Sequence, residues 1–323
     1  MGERHKFGPL PPTMPAVSAA KQAPGLDAWR VTPGRPFKLA EVDPGSTPQA
    51  PDDRSKTDAA SMDLRKRLRI VQDCFMAEKS RSLLLVLQAM DGGGKDGTVK
   101  SLYAGMHPVG AEVTSWGVPS EDELAHDFLW RIHHRVPAHG KVGIFNRSHY
   151  EDVLAVRVRK LRPEQVWENR YNIINNWEAG LVHEGVTVVK VMLHISRQEQ
   201  ANRLQARIDR PDKRWKFRMG DLEDRELWPG YQRAYDDVLD KTSTDHAPWF
   251  VVPADKKWYR DFAVLTIVTN VLETLQPVYP ARTDLDGIVI PGATRASTEP
   301  KAPKPARSSK TTSTASSPAS EPD

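Results

Sequence analysis

Short, continuous apolar runs alternate with longer stretches of helical periodicity through the middle of the chain. The runs are rich in Val, Ile and Leu, which is typical of strands buried on both faces of a sheet, and they cover Ser82–Gln88, 141–145, 187–193 and 249–252. Between them, the spacing of apolar residues predicts helices over Ser61–Lys79, Pro163–His183 and Glu223–Leu239. This alternation predicts an α/β fold in which a parallel central sheet lies between two layers of helices. Such sheets bind ligands at the carboxyl ends of their strands.

The two ends of the chain lack this alternation. Residues 1–60 are rich in Pro, Gly, Asp and Ser, and we expect an extended arm that is partly ordered, with a docked piece near Trp29. From residue 281 the composition turns to Ala, Ser, Thr, Pro and Lys, which cannot bury enough apolar surface to offset the loss of chain entropy. Residues 281–323 are therefore predicted to form a disordered tail, and residues 61–280 to form the folded domain.

The composition restricts the class of protein. With 323 residues, 39% of them hydrophobic, the chain is long enough for one large domain with a core. No apolar run approaches the roughly 20 residues that a membrane helix needs, and no apolar segment follows Arg4 and Lys6 as it would in a signal peptide. The single cysteine, Cys74, excludes a disulfide within the chain. We expect a cytoplasmic protein that acts outside the membrane.

A glycine-rich loop follows the first buried strand and precedes a predicted helix. Gly94 and Lys95 fit the phosphate-loop pattern G-x-x-x-x-G-K-[ST], whereas Ala89 replaces the first glycine and Asp96 replaces the Ser or Thr. Consecutive glycines let backbone N–H groups converge on an anion, and the helix dipole and the lysine add positive charge. The alternative is a glycine-rich turn without a ligand. The predicted phosphate- and nucleotide-binding residues here are Gly92, Gly93, Gly94, Lys95, Asp96, Gly97 and Thr98.

Two carboxylates in this loop would repel a phosphate unless a cation lay between them. Mg²⁺ is held by one or two carboxylates together with phosphate oxygens. Asp91, which lies in the loop itself, is the predicted metal ligand and a predicted catalytic residue. Asp96, in the first turn of the helix, also suits the helix dipole.

Polar residues also follow the second buried strand. In a parallel sheet, Asn146 and Arg147 come out at the same edge as the phosphate loop, and the guanidinium of Arg147 offers a planar fork of donors for phosphate. Glu151 begins the next helix and faces either the nucleotide and metal or only the helix dipole. Asn146, Arg147 and Glu151 are predicted catalytic residues. His149 is assigned no catalytic role, because phosphoryl transfer depends on positioning and charge neutralisation more than on a base.

The positive charge of the chain is concentrated in one short stretch. The net charge of the whole chain is +4, yet residues 203–218 contain seven basic and two acidic residues. Arg203 and Arg207 share a helical face, and Lys216 follows in a loop that also contains Trp215 and Phe217. A solvated basic helix or a site for single-stranded nucleic acid would also suit this composition. Beside a phosphate loop, we favour a lid over residues 203–225 in which Arg203, Arg207 and Lys216 contact phosphate, with no nucleic acid as partner.

Four longer motifs make the sequence similar to a known family. LLLVLQAMDGGGKDGTVK, ELAHDFLWRIHHRVPAHGKVGIFNRSHYEDVLAVRV, RPDKRWKF and TSTDHAPWFVVPADKKWYR resemble the family-2 polyphosphate kinases over residues 39–280. The resemblance implies a thymidylate-kinase-like P-loop fold with a helical lid, dependence on Mg²⁺, and homo-oligomers that are dimers or dimers of dimers. By the same resemblance, Asp91 and Lys95 match the family's loop carboxylate and lysine. Arg147 matches the arginine after the second strand, and Arg207 and Arg203 match lid arginines.

Two positions depart from the general family pattern. Asn146 stands where many members have an Asp that is thought to help hold metal, and Glu151 stands where many have Asn. The segment FNRSHYE resembles the class III branch, which phosphorylates both nucleoside monophosphates and diphosphates. The expected function is therefore Mg²⁺-dependent transfer of the terminal phosphate of inorganic polyphosphate to AMP and ADP.

Several alternatives to this function stay open from the sequence. A polyphosphate kinase that acts on only ADP or only AMP would share these motifs. A nucleotide kinase that takes ATP as its donor would share the fold. A regulatory nucleotide- or polyanion-binding protein with a degenerate P-loop would account for Ala89 and Asp96.

Overall fold

A five-stranded parallel sheet lies at the centre of the computed structural model, which describes residues 19–293. The strands are β1 (Ser82–Ala89), β2 (Ala111–Ser115), β3 (Val142–Asn146), β4 (Val186–His194) and β5 (Trp249–Pro253), and their order in the sheet is β2-β3-β1-β4-β5. Neighbouring strands pair in parallel, with Leu85 of β1 opposite Ile144 of β3 and Val189 of β4. The predicted parallel sheet is confirmed, with one further strand, β2, at its edge.

Helices cover both faces of this sheet. In chain order they are α1 (Ala19–Gln22), α2 (Arg54–Glu78), α3 (Lys95–Tyr103), α4 (Glu121–Leu124), α5 (Trp130–His133), α6 (Ala155–Val158), α7 (Glu164–His183), α8 (Arg197–Asp209), α9 (Gly220–Glu226), α10 (Trp228–Thr242) and α11 (Lys257–Thr274). Short 3₁₀ turns lie at Leu39–Glu41, Pro108–Gly110, His149–Asp152, Pro211–Lys216 and Thr283–Leu285. Within the described range, no helix is long and apolar enough to cross a membrane.

Alternate residues of β1 belong to two separate apolar clusters. Leu83, Leu85 and Leu87 pack in a cluster that includes α2 and α11, whereas Leu84 and Val86 pack in a cluster that includes α7 and α10. Successive side chains of a strand point to opposite faces of the sheet, so a strand that is buried throughout needs apolar residues at every position. This accounts for the continuous apolar runs and confirms the three-layer arrangement.

Helix α2 begins at Arg54, before the predicted start at Ser61. Asp53 caps it by accepting a hydrogen bond of 2.8 Å from the backbone N–H of Lys56. The hydroxyl of Ser61 donates to the carbonyl oxygen of Thr57 at 2.8 Å, so polar residues typical of a linker are accommodated inside the helix. The stretch predicted as an arm up to residue 60 therefore includes the first turns of this helix.

Upstream of α2, the chain packs against β5, at one edge of the sheet. Trp29 is buried, and its indole N–H donates to the hydroxyl of Tyr259 at 2.7 Å. The backbone N–H of Val31 donates to the carbonyl oxygen of Trp249 at 2.9 Å, next to the antiparallel bridge between Arg30 and Phe250. Residues 1–18, the start of the predicted arm, lie outside the described residues.

The helix predicted over Glu223–Leu239 is two helices. Leu227 lies between α9 and α10, and Pro229 occupies the first turn of α10. Proline has no backbone N–H to donate to the preceding turn, so it begins a helix rather than continuing one.

The contacts divide into two units between Pro280 and Ala281. In the second unit, residues 281–293 are exposed and contain the 3₁₀ turn Thr283–Leu285. Residues 294–323, most of the tail predicted to be disordered, lie outside the described residues.

A buried ion pair connects β4 with α7. Lys190 and Glu178 are both fully buried, with Nζ of the lysine 2.6 Å from Oε2 of the glutamate. The same ammonium donates to the hydroxyl of Tyr150 at 2.9 Å and to the carbonyl oxygen of Thr242 at 2.6 Å. Nε2 of His149 lies 3.3 Å from the other oxygen of Glu178. The network thus includes His149 and Tyr150, the first two residues of the 3₁₀ turn that follows β3.

Candidate active site

Three consecutive glycines carry the chain from β1 into α3, through residues 90–94, the phosphate loop. Gly92 and Gly94 have φ angles of 81° and 102°, in the left-handed region that other residues rarely adopt. A Cβ at Gly94 would lie 2.0 Å from Nη1 of Arg260. A Cβ at Gly93 would lie 2.5 Å from that of Ala89. Glycine is therefore required in this loop, which leads into a helix N-terminus that favours an anion.

Lys95 is the first residue of α3 and is nearly buried, with 8% of its surface exposed. Its ammonium donates to the carbonyl oxygen of Ala89 at 2.7 Å, which holds the side chain back across the phosphate loop. Burial, followed by the positive charge of Arg147, lowers the pKa of Lys95 to about 8. A phosphate beside this ammonium would raise the pKa again by favouring the charged form, so the lysine suits an anionic ligand.

Arg147 brings the end of β3 to the phosphate loop. It has a φ angle of 66°, and its backbone N–H donates to the carbonyl oxygen of Leu87 at 3.0 Å. Its Nη2 donates to Oδ1 of Asp91 at 2.6 Å. Burial raises the pKa of Asp91, but the charges of Lys95 and Arg147 outweigh burial and lower it, so Asp91 is ionised at neutral pH. The two residues predicted from separate strand ends are thus in contact.

Asn146 and Lys216 meet at Asp96, in the first turn of α3. Nδ2 of Asn146 donates to one carboxylate oxygen of Asp96 at 2.9 Å, and Nζ of Lys216 donates to the other at 3.2 Å. Burial raises the pKa of Asp96, but these hydrogen bonds, with Lys216 and Lys95 nearby, lower it overall. The contact between Lys216 and Asp96 links the predicted lid to the phosphate loop. Both carboxylate oxygens of Asp96 are thus hydrogen-bonded to protein side chains.

Glu151 lies in the same cluster, in the 3₁₀ turn after β3. Burial raises its pKa, although the charges of Arg147 and Lys95 oppose the shift. The side-chain amide of Gln88 makes hydrogen bonds with both of its polar atoms when its nitrogen donates to Oε1 of Glu151 at 3.1 Å and its oxygen accepts from Ser148. Glu151 is therefore held beside the phosphate loop rather than serving only as a helix cap.

Residues 203–225, the predicted lid segment, place two further arginines near Asp91. Nη1 of Arg207 donates to Oδ2 of Asp221 at 3.2 Å, and Arg218 lies 4.0 Å from the other oxygen of that buried carboxylate. The positive charges of Arg218 and Arg207 both help to lower the pKa of Asp91. The lid segment therefore contributes positive charge to the same site.

Arg203 is placed differently from the prediction of a phosphate contact. Its Nε donates to Oε1 of Glu199 at 2.7 Å. Its two terminal nitrogens donate, at distances between 2.6 and 3.1 Å, to the carbonyl oxygens of Gly92, Gly93, Ala254 and Asp255. These contacts account for all five N–H donors of a guanidinium. In this arrangement Arg203 ties the phosphate loop to the end of β5, and it has no donor left for phosphate.

A model of the family described as polyphosphate kinase 2 matches residues 49–279. The chain belongs to the polyphosphate kinase 2 family. It is 50% identical over 255 residues to the AMP/ADP-polyphosphate phosphotransferase of Meiothermus ruber, a match that covers 79% of this chain and 96% of that protein. It is 41% identical over 230 residues to the ADP-polyphosphate phosphotransferase of Rhodopseudomonas palustris, covering 68% of this chain and 80% of the relative. The predicted resemblance is confirmed.

The fold agrees with this family membership. The crystal structure of polyphosphate kinase 2 from Arthrobacter aurescens TC1 aligns with a TM-score of 0.76 and 44% identity, over 82% of this chain and 93% of that one. The predicted P-loop kinase-like α/β fold is confirmed by this likeness and by the parallel sheet with its flanking helices.

Within this polyphosphate kinase 2 family member, the donor set for a metal is small. Across residues 19–293, no three His, Cys, Asp or Glu side chains converge on one point. Mg²⁺ often takes one or two protein carboxylates and completes its coordination with substrate phosphates and water. Asp91, ionised and in the phosphate loop, fits that kind of site. The residues present therefore suit a magnesium ion that binds together with substrate.

Arg260, on α11, is a site residue that sequence reasoning missed. It is 3% exposed, and its Nη2 donates to Asp261 at 2.6 Å. Its guanidinium packs against the phosphate loop so closely that a Cβ at Gly94 or at Gly97 would clash with it. Since α11 follows the last strand, no local spacing connects Arg260 with the loop. The quoted motif ending in WYR contained this residue without indicating its role.

Gly97 and Thr98, both in α3, each lie against a neighbouring protein group. A Cβ at Gly97 would lie 2.9 Å from Nη2 of Arg260. Thr98 is fully buried, and its hydroxyl donates to the carbonyl oxygen of Gly94 at 3.3 Å. These contacts explain both residues without a ligand, and their predicted contact with phosphate stays a prediction.

Proposed function

We propose that this chain transfers the terminal phosphate of inorganic polyphosphate to AMP and ADP, giving ADP and ATP in a reversible, Mg²⁺-dependent reaction. The observation that carries the proposal is the cluster of Lys95, Arg147 and Asp91 at the phosphate loop, in a chain of the polyphosphate kinase 2 family. The names of the M. ruber and R. palustris relatives support polyphosphate as donor, and the former supports both acceptors.

The proposed mechanism is direct in-line transfer. A terminal phosphate oxygen of the acceptor nucleotide bonds to the last phosphorus of polyphosphate while the phosphoanhydride bond behind it breaks, leaving a chain shorter by one phosphate. The phosphate loop and Lys95 hold the acceptor's phosphates, and Arg147 and Arg207 neutralise the group in transfer. No covalent phosphoenzyme is needed. Most of the acceleration then comes from positioning and from fixed positive charge.

Magnesium would be held by Asp91 together with substrate phosphates. When bound, it would neutralise charge on the phosphates that meet at the loop. Arg147 donates to Oδ1 of Asp91 at 2.6 Å, which orients the carboxylate. Asn146 replaces the family's common Asp and is bonded to Asp96, and the carboxylate of Glu151 is the proposed second ligand.

Glu151 is the proposed determinant of acceptor choice. It lies beside Arg147 and Lys95, where the acceptor's phosphates would bind. A relative at 41% identity is named for ADP alone, so kinases restricted to ADP or to AMP are the nearest alternatives. We expect Glu151→Asn to lower the rate with AMP more than the rate with ADP. Unchanged rates with both acceptors would remove Glu151 from this role.

Product formation from each acceptor is the deciding experiment. AMP and ADP are supplied separately, with long-chain polyphosphate and Mg²⁺ and no other phosphate donor. ADP and then ATP from AMP, and ATP from ADP, would support dual use. ATP from ADP alone would keep the polyphosphate kinase and reject AMP as a substrate. No product from either, with polyphosphate still bound, would favour the regulatory protein with a degenerate P-loop, and product only on adding ATP would favour an ordinary nucleotide kinase.

Homo-oligomers, either dimers or dimers of dimers, and a cytoplasmic location are proposed on the resemblance and the composition. The single cysteine supports a reducing compartment. Light scattering after size-exclusion chromatography tests the oligomer, since a mass near 36.2 kDa would indicate a monomer.

A further inference from the structure

Three consecutive carbonyl oxygens of the phosphate loop are held by two side chains of α8. Nε2 of Gln200 donates to the carbonyl oxygen of Asp91 at 2.8 Å. Nη1 of Arg203 donates to the carbonyl oxygens of Gly92 and Gly93 at 3.0 and 3.1 Å. Each of these oxygens belongs to a planar peptide unit whose N–H, on the next residue, points the opposite way. The two side chains therefore fix the direction of three backbone N–H groups.

These three N–H groups are of two kinds. The N–H of Gly93 donates to the carbonyl oxygen of Met90 at 2.9 Å, which closes the turn of the loop. In the described part of the chain, the N–H groups of Gly92 and Gly94 donate to no protein group, although Gly92 is buried. A backbone N–H inside a protein normally has a hydrogen-bond partner. Two such groups without a partner therefore suit an anionic ligand that accepts from both.

The amide of Gln200 is fixed in the orientation that this arrangement needs. The side chain is fully buried, and its Cγ would lie 3.3 Å from a Cβ placed on Gly92. Its Oε1 accepts from Nη1 of Arg225 at 3.1 Å, which leaves Nε2 to face Asp91. The same nitrogen of Arg225 donates to the carbonyl oxygen of Arg197 at 2.7 Å. Gln200 therefore connects α9, which carries Arg225, with the backbone of Asp91.

Arg203 is anchored on its other side by the residues that follow β5. Its Nη2 donates to the carbonyl oxygens of Ala254 and Asp255 at 2.6 and 2.8 Å. Its Nε donates to Oε1 of Glu199, one turn earlier in α8, at 2.7 Å. Because these contacts and those to the loop use all of its donors, Arg203 can act on a bound phosphate only through the loop that it holds.

From this geometry we infer that Gln200 and Arg203 are positioning residues for the phosphates of the acceptor nucleotide. By holding carbonyl oxygens on the side of α8, they turn the N–H groups of Gly92 and Gly94 toward the bound phosphates. Neither side chain touches the substrate, and both act through the backbone of the loop. The inference rests on the proposed function for the place of the acceptor's phosphates, and nucleotide binding can be measured without transfer.

The test measures binding of ADP by calorimetry in the absence of polyphosphate, with adenosine as a probe that lacks phosphate. Gln200→Met keeps the length of the side chain but removes its donor, and it is expected to raise the Kd of ADP about 5-fold or more, as a weakened hydrogen bond to a charged group does. Arg203→Lys keeps the charge but has three donors in place of five, so a similar rise is expected. Neither change should alter the Kd of adenosine.

Steady-state kinetics separate a positioning role from a merely structural one. In Gln200→Met the KM of ADP should rise about as much as its Kd, while the KM of polyphosphate stays at the wild-type value. A variant that was only less stable would contain less active protein, with a lower kcat and both KM values unchanged. Gln198→Met is the matched control, since this exposed glutamine of α8 donates only to Asn202, at 3.1 Å, and wild-type values are expected for it.

Three results would overturn the assignment. They are wild-type Kd and KM values for ADP in Gln200→Met, an equal rise in the Kd of adenosine, or a fall in kcat with both KM values unchanged. Failure of the proposed function would appear differently, as a wild-type protein that forms no product. The Kd values for ADP and adenosine would then still test the role of Gln200.

Discussion

The buried pair of Lys190 and Glu178 allows a quantitative test of how the turn carrying the active-site residues is supported. Replacing Glu178 with Gln keeps the shape of the side chain but removes the carboxylate 2.6 Å from the ammonium. All three ammonium donors of Lys190 stay among buried partners, with Tyr150 and Thr242 as the other two. The variant therefore contains a buried positive charge without a counterion.

The expected loss of unfolding free energy is about 3–5 kcal/mol at pH 7, as for other buried pairs that lose one member. An upper limit on this loss follows from the alternative in which Lys190 releases its proton and is buried in the neutral form. From an ordinary lysine pKa of about 10.4, neutralisation at pH 7 costs about 4.6 kcal/mol, at 1.36 kcal/mol for each pH unit. The two values agree, so a loss far above 5 kcal/mol is not expected.

The pH dependence of the loss has a definite sign. Burial lowers the pKa of Lys190, and Glu178 opposes that shift, so removing the carboxylate lowers the pKa further. The unfolded variant then binds more protons than the folded one, and its stability rises with pH. At pH 9 the free energy needed to neutralise Lys190, which is the upper limit on the loss, falls to about 1.9 kcal/mol. The deficit relative to wild type should therefore narrow between pH 7 and pH 9.

Urea denaturation followed by tryptophan fluorescence measures this loss, at fixed protein concentration. Glu168→Gln is the matched control, since Glu168 pairs with Lys241 at the surface with both side chains more than a third exposed, and about 0–1 kcal/mol is expected there. Adding Lys190→Met to Glu178→Gln should recover part of the loss. A Glu178→Gln deficit no larger than the control's, or one that widens as pH rises, would refute the reasoning.

Three further predictions concern the phosphate loop. Gly94→Ala should lower activity about 10-fold or more, because residues with a side chain rarely adopt a φ of 102° and the added Cβ would clash with Arg260. Gly180 has open space around it, so the control Gly180→Ala should leave activity unchanged. Because Lys95 has a pKa of about 8, kcat/KM should fall above pH 8, and Lys95→Arg should move that fall to higher pH; an unmoved profile would assign it to another group. EDTA should abolish phosphate transfer. Asp91→Asn should raise the Mg²⁺ concentration that gives half-maximal rate about 10-fold or more, and an unchanged concentration would exclude Asp91 as a metal ligand.

Four of the five strands in the described sheet could be predicted because their residues are buried on both faces. The strand that was missed, Ala111–Ser115, lies at the edge of the sheet, and only Ala111 in it is buried. An edge strand can carry polar residues, so the sequence AEVTS has no apolar run to recognise. The start of α2 was missed for a related reason, since Thr57 and Ser61 are buried with their hydroxyls bonded inside the helix.

The candidate site could be predicted where it depends on strand ends and not where it depends on tertiary contacts. Asp91 and Arg147 follow neighbouring strands, so the sequence could predict that they lie near each other at one edge of the sheet. Their side chains are 2.6 Å apart. Arg203 was predicted to contact phosphate because a basic residue near a phosphate loop suggests it. Its actual acceptors are backbone carbonyl oxygens, and these carry no signal in the sequence.

The most direct test of the central claim is the rate of ATP formation from ADP and long-chain polyphosphate, with Mg²⁺ and no other donor. Wild type is compared with Lys95→Met and with Lys66→Met, in which an exposed lysine paired with Asp63 is removed instead. The account predicts ATP from wild type and Lys66→Met at similar rates, and a rate about 100-fold or more lower for a folded Lys95→Met. No ATP from wild type, or an equal rate from Lys95→Met, would contradict it.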